Sequence, residues 1–190
     1  MQVIIDKPPE NVMAIGKFES MHLGHQALIH MAKQTAEKRG LPTVVLSFCP
    51  HPFIVLGNKN YKPLLSDDQV DWVLRKICKV DYLLKYPFTK NLSLMPPEAF
   101  CKILFEDLKA RELFVGEDYR FGVNRSGTVM ELKKEARLYG ANVTIVAFEK
   151  RNGTQISTSL IRRLIEEKNF AEANGLLGFD YLNPKNPEAT

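Results

Sequence analysis

Apolar positions along this chain fall into two alternating kinds of run: short β-branched blocks and longer stretches of helical period. Val12 to Ile15 is an apolar block stopped by Gly16, which reads as a buried strand. From Leu23 to Arg39 the positions Ala27, Leu28, Met31, Ala32 and Ala36 recur at helical spacing with Lys33, Glu37, Lys38 and Arg39 between them, and Gly40 and Pro42 end the run. Thr43 to Phe48 is again short, β-branched and apolar. Strand, helix and returning strand predict a right-handed βαβ unit.

The alternation continues. Cys49-Pro50-His51-Pro52-Phe53 cannot extend a sheet, so it predicts a stiff loop at the strand's C-terminal edge. Ser66 caps a helix carrying Asp67 and Asp68 in its first turn and Val70, Val73, Leu74 and Ile77 on one face, where Trp72 reads as packing. Val80 to Tyr86 is a third strand closed by Pro87, and Ser93 to Ala110 reads as one helix with Pro96 and Pro97 in its opening turn. Glu112 to Gly116 is a fourth strand, followed by a loop to Gly127, a helix over Thr128 to Tyr139 and a fifth strand over Asn142 to Phe148. Arg151-Asn152-Gly153-Thr154 signals a hairpin. Ser157, Thr158 and Ser159 then cap a helix, and Asn169 to Leu177 forms a last short one. The tail from Asn183 is polar, proline-punctuated and expected to be disordered. This order predicts an α/β domain built on a mainly parallel sheet.

Composition narrows the picture. The chain has 190 residues, enough for one domain with a proper core, 45% of them hydrophobic and 25% charged. A net charge of +4 and pI near 8.9 suit anionic small molecules. No basic block or aromatic-interleaved basic stripe argues for nucleic acid. Cys49, Cys78 and Cys101 lack metal or redox spacing and read as reduced thiols. No leader and no membrane-length apolar stretch is visible, so the expectation is a soluble, cytoplasmic protein. The pattern leaves the oligomeric state open.

Candidate chemistry gathers at predicted strand ends and helix starts. His22 and His25 flank Gly24 on the first turn of the first helix, where unpaired N–H groups and the macrodipole favour an anion such as phosphate. A metal pair or plain surface residues are the alternatives, although paired metal-binding histidines on a helix more often stand four apart. The 116–127 loop sets Arg120 and Arg125 among Tyr119 and Phe121, a mixture suited to a flat, charged ligand. Ser157 and Thr158 with Arg162 one turn on make a second anion-binding start, or simply a cap with a solvated arginine.

Four stretches in this order resemble a known family. Gly16-x-Phe18-x-x-x-His22-x-Gly24-His25 looks like the nucleotidylyltransferase signature. Phe48-Cys49-Pro50-His51-Pro52, Gly116 to Gly122 and Ile156-Ser157-Thr158-Ser159-x-Ile161-Arg162 are similar to further motifs of the FMN adenylyltransferase (FAD synthetase) domain of prokaryotic bifunctional riboflavin kinase/FAD synthetases. The resemblance spans roughly residues 12 to 181. It implies a Rossmann-like nucleotidylyltransferase fold, with a five- to six-stranded sheet, that moves AMP from ATP to FMN with Mg²⁺ present. It implies His22, His25 and Arg162 as catalytic residues and Gly16, Lys17, Phe18, Gly24, Ser157 and Thr158 around ATP. Phe48, Pro50, His51, Pro52, Asp118, Arg120, Phe121 and Gly122 would shape the flavin side. No protein metal ligand is assigned.

The chain also departs from that family. The resembled pattern reads Gly-x-Phe-Asp-Gly-Val-His where this chain has Gly16-Lys17-Phe18-Glu19-Ser20-Met21-His22. Glu19 lengthens an acid, Ser20 replaces a glycine at a place expected to need backbone freedom, and Lys17 adds a charge. Leu176 to Tyr181 resembles the junction where the family's riboflavin kinase begins, so the expectation is one adenylyltransferase-like domain over 1–181, a tail over 182–190 and no kinase. Transfer to another phosphorylated acceptor, and a flavin- or nucleotide-binding module without turnover, remain alternatives.

Overall fold

In the computed structural model, residues 1–4, 8–58, 60–151 and 153–183 are described. The expected disorder of the tail beyond Asn183, and Asn152 of the hairpin, lie outside them.

Six strands form one sheet: β1 (Gln2–Ile4), β2 (Asn11–Ile15), β3 (Thr43–Cys49), β4 (Tyr82–Pro87), β5 (Ala110–Gly116) and β6 (Asn142–Val146). Their order is β1-β4-β3-β2-β5-β6 and every neighbouring pair is parallel. The chain builds outward from β2 through β3 to β4, then crosses back to lay β5 and β6 on the other side of β2. That reversal opens a crevice beyond the C-terminal ends of β2 and β5, the ordinary ligand position in such a sheet.

Strand chemistry explains the burial. Along β2, Val12 and Ala14 enter one core while Met13 and Ile15 enter the other, and every residue of the strand is buried. Phe114 of β5 opposes Leu113 and Val115 in the same way. Period-two alternation under two helical layers requires apolar residues at both parities, which is why the strands read as continuous apolar runs.

One layer holds α1 (Leu23–Arg39), α7 (Thr158–Glu166) and α8 (Phe170–Leu177), whose Ile29, Ile161 and Leu177 share a core. The other holds α5 (Pro97–Lys102) and α6 (Val129–Leu138), through Phe100 and Leu132. Helix α1 has the bounds expected of it, and Gly40 ends it in the left-handed conformation at φ 64°. Thr128 and Ser66 cap α6 and α3 (Asp67–Trp72) through reciprocal capping boxes with Glu131 and Gln69. The hairpin pairs β7 (Lys150–Arg151) with β8 (Thr154–Gln155).

Two expectations are corrected. The single helix over Ser93 to Ala110 is instead α4 (Lys90–Ser93), a break and α5, because Pro97 forces Pro96 to extended backbone (ψ 153°). Its far end widens into a π turn over Ile103–Asp107, closed by the Leu108 N–H donating to the Ile103 carbonyl at 2.8 Å, and Ala110 belongs to β5. The stiff loop after β3 contains one helical turn, α2 (Pro52–Val55), since Pro52 suits a first helical position and the His51 ring accepts from the Phe53 N–H at 3.3 Å. Strand β1, with β-branched Val3 and Ile4, is a sixth strand beyond those expected and pairs with β4 at the sheet's edge.

Candidate active site

The crevice holds a cavity of about 1220 Å³. Gly16 leaves β2 at its floor, and the turn to α1 is held by two residues in left-handed backbone, Phe18 (φ 47°) and Met21 (φ 48°). Both side chains are fully buried, so core packing stabilises a conformation that β-carbons disfavour. Between them Glu19 and Ser20 have ordinary φ. The backbone freedom expected at Ser20 is therefore needed on either side of it instead.

His22 is the N-cap of α1: its Nδ1 accepts the His25 backbone N–H at 3.2 Å, which leaves the ring proton on Nε2. The two imidazoles stack with centroids 3.8 Å apart and 9° between planes, and Phe18 meets His25 edge-on at 5.4 Å. Burial pushes His22 down to about 4, and burial together with the neighbouring His22 holds His25 well below the usual histidine range. Both rings are neutral at pH 7. His25 Nδ1 is buried without a hydrogen-bond partner among the described residues. Gly24 lines the cavity, and a β-carbon on it would stand 3.2 Å from the His22 ring, so this glycine makes room for that ring.

The second helix start faces the first. Ser157 caps α7 by accepting the Leu160 N–H at 3.2 Å, and Thr158 and Arg162 line the cavity. Ser20 Oγ lies 2.9 Å from Thr158 Oγ1, and Arg162 forms an ion pair with Glu19. Lys17 lies over the Phe53 ring at 4.4 Å, its ammonium held below the ordinary range by burial and by Arg125.

On the far wall, the segment after β5 contributes Asp118, Arg120, Phe121 and Gly122. Phe121 is buried and stacks on Tyr119 with centroids 5.9 Å apart. Gly122 sits at φ 71° with Pro97 against the position of a β-carbon. Fifteen of the seventeen residues singled out from sequence line this one cavity, Phe48 and Pro52 among them. Pro50 and His51 do not. His51 stands behind the wall, stacked on Tyr61 with centroids 4.3 Å apart, and burial pushes it down to about 4. Arg125 of the 116–127 loop lines the cavity too, as do Glu19 and Tyr61, to which no binding role was assigned. Tyr61 lies in a polar stretch with no motif, whereas Arg125 was legible as the second arginine of its loop.

Two helix starts at a sheet's switch point, with an aromatic far wall, define an α/β domain whose crevice suits an anionic ligand. Residues 4–160 match the FAD synthetase family, to which this chain belongs. It is 38% identical over 173 residues to a bifunctional riboflavin kinase/FMN adenylyltransferase of Listeria monocytogenes, covering 90% of this chain and 54% of that protein. The enzyme of the same description from Escherichia coli K12 is 30% identical, with 90% and 55% covered. The chain thus spans about half the length of these relatives. A protein described as FAD synthetase, also from Listeria monocytogenes, is 31% identical over 88% of this chain and 68% of its own length. Among solved structures, a Streptococcus pneumoniae protein titled macrolide-efflux protein superposes with a TM-score of 0.80 at 28% identity, covering 93% of this chain and 60% of its own. Among the described residues no helix is long and apolar enough to cross a membrane.

Proposed function

We propose that this chain transfers the adenylyl group of ATP to FMN, giving FAD and pyrophosphate. One observation carries the reading: a single cavity of about 1220 Å³ collects the His22–His25 turn, the Thr158–Arg162 helix start and the Asp118–Gly122 wall. That volume exceeds the roughly 300–1,000 Å³ of a typical one-ligand pocket, as two substrates require.

In the reaction an FMN phosphate oxygen forms a bond to the α-phosphorus of ATP while the bond to the bridging oxygen of the β-phosphate breaks, and pyrophosphate leaves with that electron pair. No protein nucleophile is needed; positioning and charge neutralisation supply the rate. Neutral His22 and His25 act as N–H donors to the triphosphate, Arg162 adds positive charge, and the N-termini of α1 and α7 face the same anion. Gly16, Lys17 and Phe18 border the nucleotide, with Ser157 and Thr158 opposite. Phe48, Pro52, Asp118, Arg120, Phe121 and Gly122 shape the flavin side, while His51, next to Pro50, supports it through its stack on Tyr61.

Among the described residues no three His, Cys, Asp or Glu side chains converge as a metal site. Mg²⁺ would arrive on the triphosphate as MgATP, since this ion is ordinarily held by substrate phosphates and few carboxylates. Free Cys78 and Cys101, with thiols pushed up to about 12 by burial, suit a reducing cytoplasm.

Acceptor competition tests the reading. FMN offered with nicotinamide mononucleotide, glycerol 3-phosphate and riboflavin should be the one acceptor adenylated from MgATP. Preferential adenylation of another phosphate would transfer the chain to a different acceptor class.

A further inference from the structure

The two departures at the histidine turn, Glu19 and Ser20, make the same kind of contact. Both meet the first turns of α7, Glu19 from the cavity wall and Ser20 from beneath it. Ser20, fully buried, places its Oγ 2.9 Å from Thr158 Oγ1, and Glu19, whose side chain is 8% exposed, pairs with Arg162, whose side chain is 34% exposed. Where the resembled pattern has Asp-Gly, glycine has no hydroxyl for Thr158 and aspartate is shorter by a methylene.

Glu19 has a second neighbour. Tyr61 lines the same cavity, and burial first, then the Glu19 charge, raises that phenol above its usual range. Tyr61 in turn stacks on His51 and meets Phe53 edge-on, so the segment after β3 lies beside the same carboxylate. The left-handed residues Phe18 and Met21, buried on either side, fix the turn that presents Glu19 and Ser20.

We propose that Glu19 is a positioning residue that aims Arg162 at the triphosphate, with the Ser20–Thr158 contact joining the two helix starts into one unit. This rests on the FAD synthetase reading for what the triphosphate is used for, but not for the coupling itself. Arg162 on a long, partly exposed side chain would otherwise sample many rotamers; a mostly buried carboxylate behind it restricts them before ATP arrives. Glu19 acts through Arg162 and need not touch the nucleotide.

A double-mutant cycle over Glu19→Gln and Arg162→Ala tests this, read on ATP affinity by calorimetry and on kcat for FAD formation, with thermal melting of each variant as the folding control. Glu19→Gln keeps shape and removes charge; it should lower kcat/KM for ATP about tenfold, and Glu19→Asp should recover most of that loss. In the Arg162→Ala background, Glu19→Gln should change neither readout by more than about twofold. An undiminished Glu19→Gln loss in that background, or no loss in the parent, would overturn the proposal. If the parent binds ATP but makes no FAD, the function reading fails while the affinity cycle still decides the role of Glu19.

Discussion

The His22 and His25 rings lie parallel at 3.8 Å, closer than two imidazolium ions tolerate without a counter-charge. Stacking, the cap that His22 provides to α1 and the depressed pKa values describe one arrangement, a pair of neutral donors at a helix start.

This fixes the sign of a pH effect. With His22 at about 4 in the folded chain and near 6.5 unfolded, the unfolded state binds more protons between these values, so stability is intact above pH 6.5 and falls as pH drops toward 4. His22 alone contributes on the order of 3 kcal/mol across that window. Urea denaturation at pH 7 and pH 4.5 should show the loss. His22→Asn, which keeps a capping acceptor without a titrating group, should show a smaller one.

Gly24→Ala separates stability from activity. Alanine gains up to ~1 kcal/mol of helix propensity, yet its β-carbon would press on the His22 ring from 3.2 Å. Melting temperature should hold or rise while FAD formation falls about tenfold, the size a few tenths of an ångström of misplacement produces at a reacting centre.

Much of this was legible in the chain. The order of elements, the α1 bounds and the caps at Ser66 and Ser157 follow from local chemistry, and motif residues scattered from Gly16 to Arg162 meet because parallel strands deliver their C-terminal ends to one edge. What escaped depended on tertiary partners. Tyr61 matters through its stack on His51 beside Glu19, β1 completes the sheet by pairing with β4, and the π turn over Ile103–Asp107 leads directly into β5. The role expected of a glycine at position 20 is met by Phe18 and Met21, whose left-handed backbone only their burial makes affordable.

Gly122→Ala should be among the more damaging glycine substitutions. At φ 71°, with Pro97 atoms 2.8–3.0 Å from the added β-carbon, it meets backbone strain and a clash together. A loss of about 2–4 kcal/mol is expected. Gly40→Ala, at φ 64° with open space around it, should cost about 1 kcal/mol. Denaturant midpoints of the two variants check the difference.

Ser20→Gly restores the resembled pattern and should still weaken the protein. It removes the Thr158 contact and adds backbone entropy to the unfolded chain at a residue with ordinary φ, together about 1–2 kcal/mol. A melting temperature equal to the parent's would show that the contact carries no stability.

The most direct measurement incubates the purified chain with FMN and MgATP and quantifies FAD and pyrophosphate together, with His25→Ala alongside. Adenylyl transfer predicts equal amounts of the two products, nearly abolished in the variant. A folded chain that binds ATP and FMN yet yields neither product would contradict it.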